Sequence, residues 1–385
     1  MRKYTLILFI ILFLSPIKLI GSAETEIDNL IVSGVMNGVF PGAQLLISKN
    51  GEQVYNKSIG FYTYDEDAKE ITRNSMFDIA SLTKVVATTP AIMLLYERKQ
   101  LDIYDRVSLY LPEFGKNGKE DITIFNLLVH NSGLKAWIPF YKACSGEQDI
   151  LNTIYEIGLD YSTGSKTVYS DLNAIILGEI VKKVSGKNLN DYCKENIFQP
   201  LGMKHTMFNP TDNYKQLCVP TEYDGVWRQK QMRGEVHDEA AYLMGGISGN
   251  AGLFSTAEDL YKYMQMLIEN GIYYNPYTKN LQREKLFLES TINLFTKKIS
   301  DLNYYNTRAL GWDTKPEPTS SRVPCGELMS DNCFGHTGYT GTSIWYDRDK
   351  DILIIFLTNR VYPDRSNTAI REFRPDLHNK ILSLY

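Results

Sequence analysis

The chain has 385 residues, 43% of them hydrophobic and 22% charged, the balance of an ordinary globular protein. Its formal net charge is −4 and no block of like charges occurs, which excludes nucleic acid as an expected partner. Gly and Pro are dispersed and no repeat of roughly 20–50 residues recurs, so collagen-like, disordered and solenoid classes are excluded as well.

The first 23 residues differ from the rest. Arg2 and Lys3 precede an apolar run over residues 4–14. Pro16 breaks it, and Gly21-Ser22-Ala23 supplies small residues for a cleavage site. This is the pattern of an export leader, and the run is too short to span a bilayer. Removing residues 1–23 takes away Arg2, Lys3 and Lys18 and no acidic residue. No later stretch suits a stable membrane span. The expected location is secreted, periplasmic or in the cell envelope.

Residues 24–39 pattern as an amphipathic helix. Two strand-like runs, 43–49 and 53–59, flank Asn50-Gly51, a strong hairpin signal. From Ser81 to about Gly202 the chain reads as mostly helical. Clear runs lie at 85–97 and 171–184, the second stopped by Gly186. Pro90 must kink or end the first. Strand character returns at 342–347 and 352–358, around the polar turn 348–351. A last helix starts near Ser366, and Pro375 is expected to break or kink it. The fold class is α+β: an antiparallel sheet built from both chain ends and flanked by helices, with a mostly helical region inserted. The α/β part covers about 24–80 and 215–385, and the helical part about 81–214. A site is expected in the cleft between them.

The five cysteines are Cys144, Cys193, Cys218, Cys325 and Cys333. An odd number cannot pair completely within one exported chain. Cys325 and Cys333 are near enough in sequence to close a small loop. Neither their spacing nor that of the five histidines resembles a metal site, so no metal and no cofactor is expected.

Ser-x-x-Lys occurs three times. Ser15/Lys18 lies in the leader, and Ser132/Lys135 sits in the loop-like Asn131-Ser132-Gly133. Only Ser81/Lys84 opens a long apolar, helix-like run. Residues i and i+3 share a helix face, so hydroxyl and amine can meet. An amine takes a serine proton only when neutral. Burial and a nearby helix N-terminus are expected to lower the Lys84 pKa. The same N-terminus offers N–H groups to an oxyanion. Tyr169-Ser170-Asp171 precedes the helical run at 171–184, and a tyrosine there can be a second proton-transfer group. Gly335-His336-Thr337-Gly338-Tyr339-Thr340-Gly341-Thr342 leads into a strand, and its glycines let a ligand backbone come close.

Taken in this order, Ser-x-x-Lys, Tyr-x-Asp and His-Thr-Gly resemble the penicillin-recognising serine hydrolases. The branch resembled is that of class C β-lactamases, low-molecular-weight penicillin-binding proteins and related esterases. Phe77-Asp78-Ile79-Ala80, the stretch from Leu127 to Leu134 and the stretch from Gly245 to Thr256 resemble it too. The likeness runs from about Val39 to Arg360. It implies a β-lactamase/transpeptidase-like fold, with residues 24–385 forming one hydrolase domain. It implies that Ser81 is the acylated nucleophile, that Lys84 and Tyr169 share and relay its proton, and that the N–H groups of Ser81 and Tyr339 hold the oxyanion. Asp171, His336, Thr337 and Gly338 would contact substrate. Trp137 would be either a cleft wall or a packing residue.

Two departures from the family pattern bear on substrate. Asp171 stands where the family often has an amide, and a carboxylate cannot donate unless protonated. His336 replaces a lysine with a group largely neutral near pH 7. Both changes are expected to weaken recognition of a substrate carboxylate. The reading is therefore a secreted serine hydrolase acting on ester or amide bonds, in D-amino-acid peptides or β-lactam-like compounds. Its partner is a small-molecule or peptide substrate, including cell-wall peptide. The alternative is a catalytically weak penicillin-binding-type protein that binds cell-wall peptide or a protein partner. A Ser-His-Asp hydrolase lacks its Gly-x-Ser-x-Gly elbow here. His237 reads as structural, and Asn56-Lys57-Ser58 is a glycosylation sequon.

Overall fold

The computed structural model describes residues 20–278, 281–299, 308–316 and 323–385. Most of the expected leader, residues 1–19, lies outside the described residues. Helix α1 (Ile20–Met36) leads into strands β1 (Gly42–Lys49) and β2 (Glu52–Gly60). Asn50 and Gly51 both take positive φ, the conformation that lets a two-residue turn follow the strand twist. Late in the chain come β3 (Cys333–Thr337), β4 (Ser343–Asp347) and β5 (Ile352–Thr358). The five form one antiparallel sheet in the order β3-β4-β5-β1-β2. Its centre joins the two ends of the chain, with Ile47 opposite Ile354 and Ala43 opposite Thr358.

Both faces of this sheet are buried, so its central strands are apolar at nearly every position. Leu45, Ile47, Ile354 and Phe356 pack beneath α1 and the C-terminal helix α2 (Ile370–Leu384). Leu46, Leu353, Ile355 and Leu357 face the larger core, shared with the helical region. Helix α2 runs through Pro375 instead of breaking there. Pro375 removes one backbone N–H donor, and the packing of Leu377 and Ile381 against the sheet holds the helix beyond it.

The helical region contains the helix Asp171–Ser185, which Gly186 ends in the left-handed conformation. The run after Ser81 is divided. A single wide π turn (Lys84–Thr88) precedes the α-helix Thr89–Glu97, with Pro90 in that helix's first turn. Pro90 has no N–H to donate, and the Val85 carbonyl five residues before it instead accepts the Tyr263 hydroxyl at 2.7 Å. A second, small sheet was not legible in the sequence. Phe77–Asp78 and Met207–Phe208 both pair with Leu253–Ser255. Among the described residues, no helix is long and apolar enough to cross a membrane.

Candidate active site

The small sheet places the serine. Asp78 ends its strand fully buried, and one carboxylate oxygen accepts the Ala80 amide at 2.8 Å while the other accepts the His237 amide at 2.7 Å. The Asp78 and Ile79 carbonyls accept the hydroxyls of Thr340 (2.7 Å) and Thr342 (3.1 Å). Ala80 is thereby held at φ +47°, a strained conformation for a residue with a side chain. The sharp turn lifts Ser81 into a cleft between the helical region and β3. The approach of Gly338 to this turn needs a glycine, because a Cβ there would stand 2.6 Å from the Ile79 carbonyl oxygen.

Lys84 is buried, and its ammonium gives all three protons to defined acceptors. These are Ser81 Oγ at 3.1 Å, Asp171 Oδ1 at 2.8 Å and the Asn250 carbonyl at 2.9 Å. Tyr169 donates its hydroxyl to Ser81 Oγ at 2.8 Å. The Leu127–Leu134 stretch positions Tyr169: His130 Nδ1 accepts the Ser170 amide at 3.1 Å, and its ring lies 4.8 Å from the Tyr169 ring. Among the described residues, no acceptor takes the amide of Ser81 or of Tyr339, so both stay available to an oxyanion. Arg360 donates to the Tyr339 carbonyl at 2.8 Å and fixes that peptide's orientation.

The electrostatics differ from the sequence expectation at Lys84. Burial does pull its pKa down, but the Asp171 carboxylate outweighs this and raises it above the ordinary lysine value. Lys84 is therefore an ammonium at neutral pH. Burial pushes Tyr169 up despite the opposing charge of Lys84, so it rests as a phenol. Asp171 pairs with Lys84 through Oδ1 and also lines the cleft beside Ser81.

His336 lies buried on β3, with Nδ1 bonded to the Thr337 carbonyl at 2.8 Å. Burial lowers its pKa, and the charge of Asp313 only partly opposes this. His336 is neutral and 3.9 Å from Asp313. It shares a pocket of about 340 Å³ with Ser81, Thr337, Gly338 and four arginines: Arg308, Arg360, Arg371 and Arg374. Arg308 pairs with Asp313. Arg374 is 8% exposed, and its Nε has no hydrogen-bond partner among the described residues. Burial, then the charge of Arg360, pulls its pKa down to about 10. The pocket thus carries positive charge that His336 does not supply. The sequence reading missed these arginines, because Arg308 and the three that follow β5 belong to none of the recognised motifs.

A second pocket of about 460 Å³ opens on the other side of Ser81 and is lined by Trp137, Asp171, Asp238, Glu239 and Tyr339. Trp137 is among the residues lining this cleft and is 49% exposed. His237 is buried, lies 3.3 Å from Glu222 and stacks on the Tyr339 ring. Asn250 and His130 were within stretches quoted from the sequence, but nothing local marked them as contacts of Lys84 and of the Tyr169 segment. Asn56 of the sequon lies on β2 and donates to Glu258 at 3.0 Å.

The family model described as Beta-lactamase matches residues 27–377. The chain is 35% identical over 367 residues to the N-acetylmuramyl-L-alanine amidase of Bacillus subtilis (strain 168), covering 87% of this chain and 80% of that one. It is 35% identical over 354 residues to an Escherichia coli (strain K12) protein named provisionally as a D-alanyl-D-alanine carboxypeptidase, covering 83% and 79%. A solved class C beta-lactamase superposes with a TM-score of 0.73 at 20% identity, covering 94% of this chain and 96% of that one, and shares the fold. The chain belongs to the Beta-lactamase family and is a serine hydrolase.

Proposed function

We propose that the protein cleaves an amide bond in cell-wall peptide through an acyl-enzyme on Ser81. The observation that carries this reading is Ser81 Oγ receiving hydrogen bonds from both Lys84 and Tyr169, beside two unused amides. Ser81 Oγ attacks the substrate carbonyl. The carbonyl oxygen gains charge and takes the amides of Ser81 and Tyr339. The serine proton passes to the Tyr169 oxygen as the phenol proton passes to the leaving nitrogen, so no resting phenolate is needed; the carbonyl re-forms, the C–N bond breaks and the amine departs. The Lys84 ammonium stabilises negative charge on Tyr169 while this happens. Water then releases the acyl group by the reverse relay.

The arginine-lined pocket supports a substrate that carries a carboxylate beside the leaving group. Sequence reasoning expected weak carboxylate recognition because His336 replaces a lysine. The arginines supply the missing cation from elsewhere in the fold. Relatives named for D-alanyl-D-alanine and N-acetylmuramyl-L-alanine bonds support peptidoglycan peptide as the substrate class. An envelope location fits this substrate and the leader pattern of residues 1–23.

The test is intact-mass spectrometry after exposure to a fluorescent penicillin, with Ser81→Ala alongside. A mass gain in the wild type alone, together with amine release from a D-alanyl-D-alanine peptide, is the expected result. Absence of both an adduct and turnover would overturn the reading and leave a non-catalytic binder.

A further inference from the structure

Given the reading of Ser81 as the acylated residue, on which this rests, we infer that the amine released from it carries two carboxylates, as a glutamyl residue does, and that Arg371 and Arg374 on helix α2 select for the second one. Four guanidinium groups and a single carboxylate, Asp313, line the pocket on this side of Ser81. Arg308 pairs with Asp313, and His336 is neutral. Three positive charges therefore stay unbalanced among the described lining residues. One carboxylate beside the leaving group answers only one of them.

The three unbalanced cations differ in what holds them. Arg360 is buried and commits Nε to the Tyr339 carbonyl at 2.8 Å and Nη1 to the carbonyls of Arg365 (2.9 Å) and Asn367 (2.7 Å). These acceptors are neutral, so they fix the guanidinium without cancelling its charge. Arg374 is also buried, and its Nε has no hydrogen-bond partner among the described residues. Arg371 lies three residues earlier on α2 and is exposed. Like charges gathered in a partly buried cleft repel one another, and a carboxylate placed between guanidinium groups relieves this while forming charge-assisted hydrogen bonds.

The placement of the charges separates two subsites. One wall of the pocket is β3 and the turn after it, where Thr337 and Gly338 lie with Ser81, and the other is the start of α2. Residues three apart on a helix stand roughly 5–6 Å apart at Cβ, so Arg371 and Arg374 form a pair on one face, at a spacing an amino dicarboxylate spans. Ile370, the first residue of α2, lines the pocket too, and the positive end of a 15-residue helix adds to the field there. The cleft on the other side of Ser81 has the opposite character, with Asp171, Asp238 and Glu239 set against Arg365. A dianionic leaving group is thereby steered to the α2 side and the acyl part to the acidic side.

The experiment measures dissociation constants of free glutamate and glutamine, each as both enantiomers, by ligand-observed NMR on the wild-type protein. The two probes differ by one carboxylate at nearly constant size. The tighter glutamate enantiomer should bind at least about tenfold better than the matching glutamine, the worth of one charge-assisted pair. Added salt should narrow that ratio. Arg371→Gln, at an exposed position where folding is not at stake, should bring the ratio close to one, and Arg374→Met should do the same. Equal affinities, no binding of either probe, or a glutamate preference that survives Arg371→Gln would overturn the proposal. A penicillin adduct on Ser81 without a glutamate preference rejects the second carboxylate and keeps the acyl-enzyme. A glutamate preference without any adduct rejects the acyl-enzyme, and the leaving-group assignment falls with it.

Discussion

Lys84 Nζ lies 2.8 Å from Asp171 Oδ1, and this ion pair sets the charge beside Ser81. Lys84 is buried deeply enough that burial alone would favour the neutral amine. The carboxylate reverses that preference and raises the lysine above its ordinary value. The residue that departs from the family amide is thus the counter-ion of the lysine.

Asp171→Asn removes that counter-ion, the largest effect opposing burial, and leaves only the smaller opposition from Tyr169. Lys84 should then lose its proton at lower pH than in the wild type. With the ammonium needed to support the relay, the alkaline limb of the kcat/KM profile should move to lower pH. A pH–rate profile checks this, and an alkaline limb that stays in place would sink the assignment.

Tyr169→Phe keeps the ring that packs on His130 and lies over Lys84, and removes only the hydroxyl. Acylation should slow by roughly 10²–10⁴-fold, the usual worth of a positioned acid–base group. The melting temperature should change little. Stopped-flow acylation with a fluorescent penicillin measures the rate, and a loss of less than about tenfold would exclude Tyr169 from the proton path.

Arg374 is a buried guanidinium beside another cation, Arg360, and this arrangement costs stability in the free protein. Arg374→Met should raise the unfolding free energy by on the order of 1 kcal/mol or more. It should also weaken a carboxylate-ended peptide by about 1.5–3 kcal/mol in KM while leaving a neutral ester nearly unaffected. Denaturant melts and paired substrates test the two effects. Equal losses on both substrates would count against a carboxylate role.

Asp238 caps a short helix through the Ala241 amide at 2.8 Å and lies near Asp171. Burial, then the charge of Asp171, raises its pKa from the ordinary aspartate value of 3.8 to about 6. Between these two values the folded state holds a proton that the unfolded state has lost. Stability from this group is therefore present at low pH and is lost as pH rises through about 6. Asp238→Asn keeps the cap and should flatten this part of the melting-temperature profile. A slope unchanged by the substitution would assign it to another group.

Both hairpins and the three motifs were legible because each depends on local chemistry. Asn50-Gly51 turns by its own backbone preference, and Ser81 meets Lys84 by helix spacing. The small sheet was hidden because two-residue strands such as Phe77–Asp78 carry no periodicity. Continuation of α2 past Pro375 depends on tertiary packing that outweighs a local breaker. The charge of Lys84 was misjudged because Asp171 is its neighbour only in space. The arginine pocket was invisible for the same reason: Arg308 reaches it from before β3, while Arg360, Arg371 and Arg374 reach it from after β5.

The pairing of β1 with β5 has a consequence for the order of events during synthesis. Ala43 leaves the ribosome early but finds its partner only when Thr358 has emerged. Local helical contacts around Ser81 can form before then, whereas the central sheet joins strands from opposite ends of the chain. The wall containing His336 and Tyr339 is carried by the late strands, so Ser81 emerges well before the residues that face it across the cleft. On the proposed mechanism, the nascent chain stays inactive until the last hairpin closes.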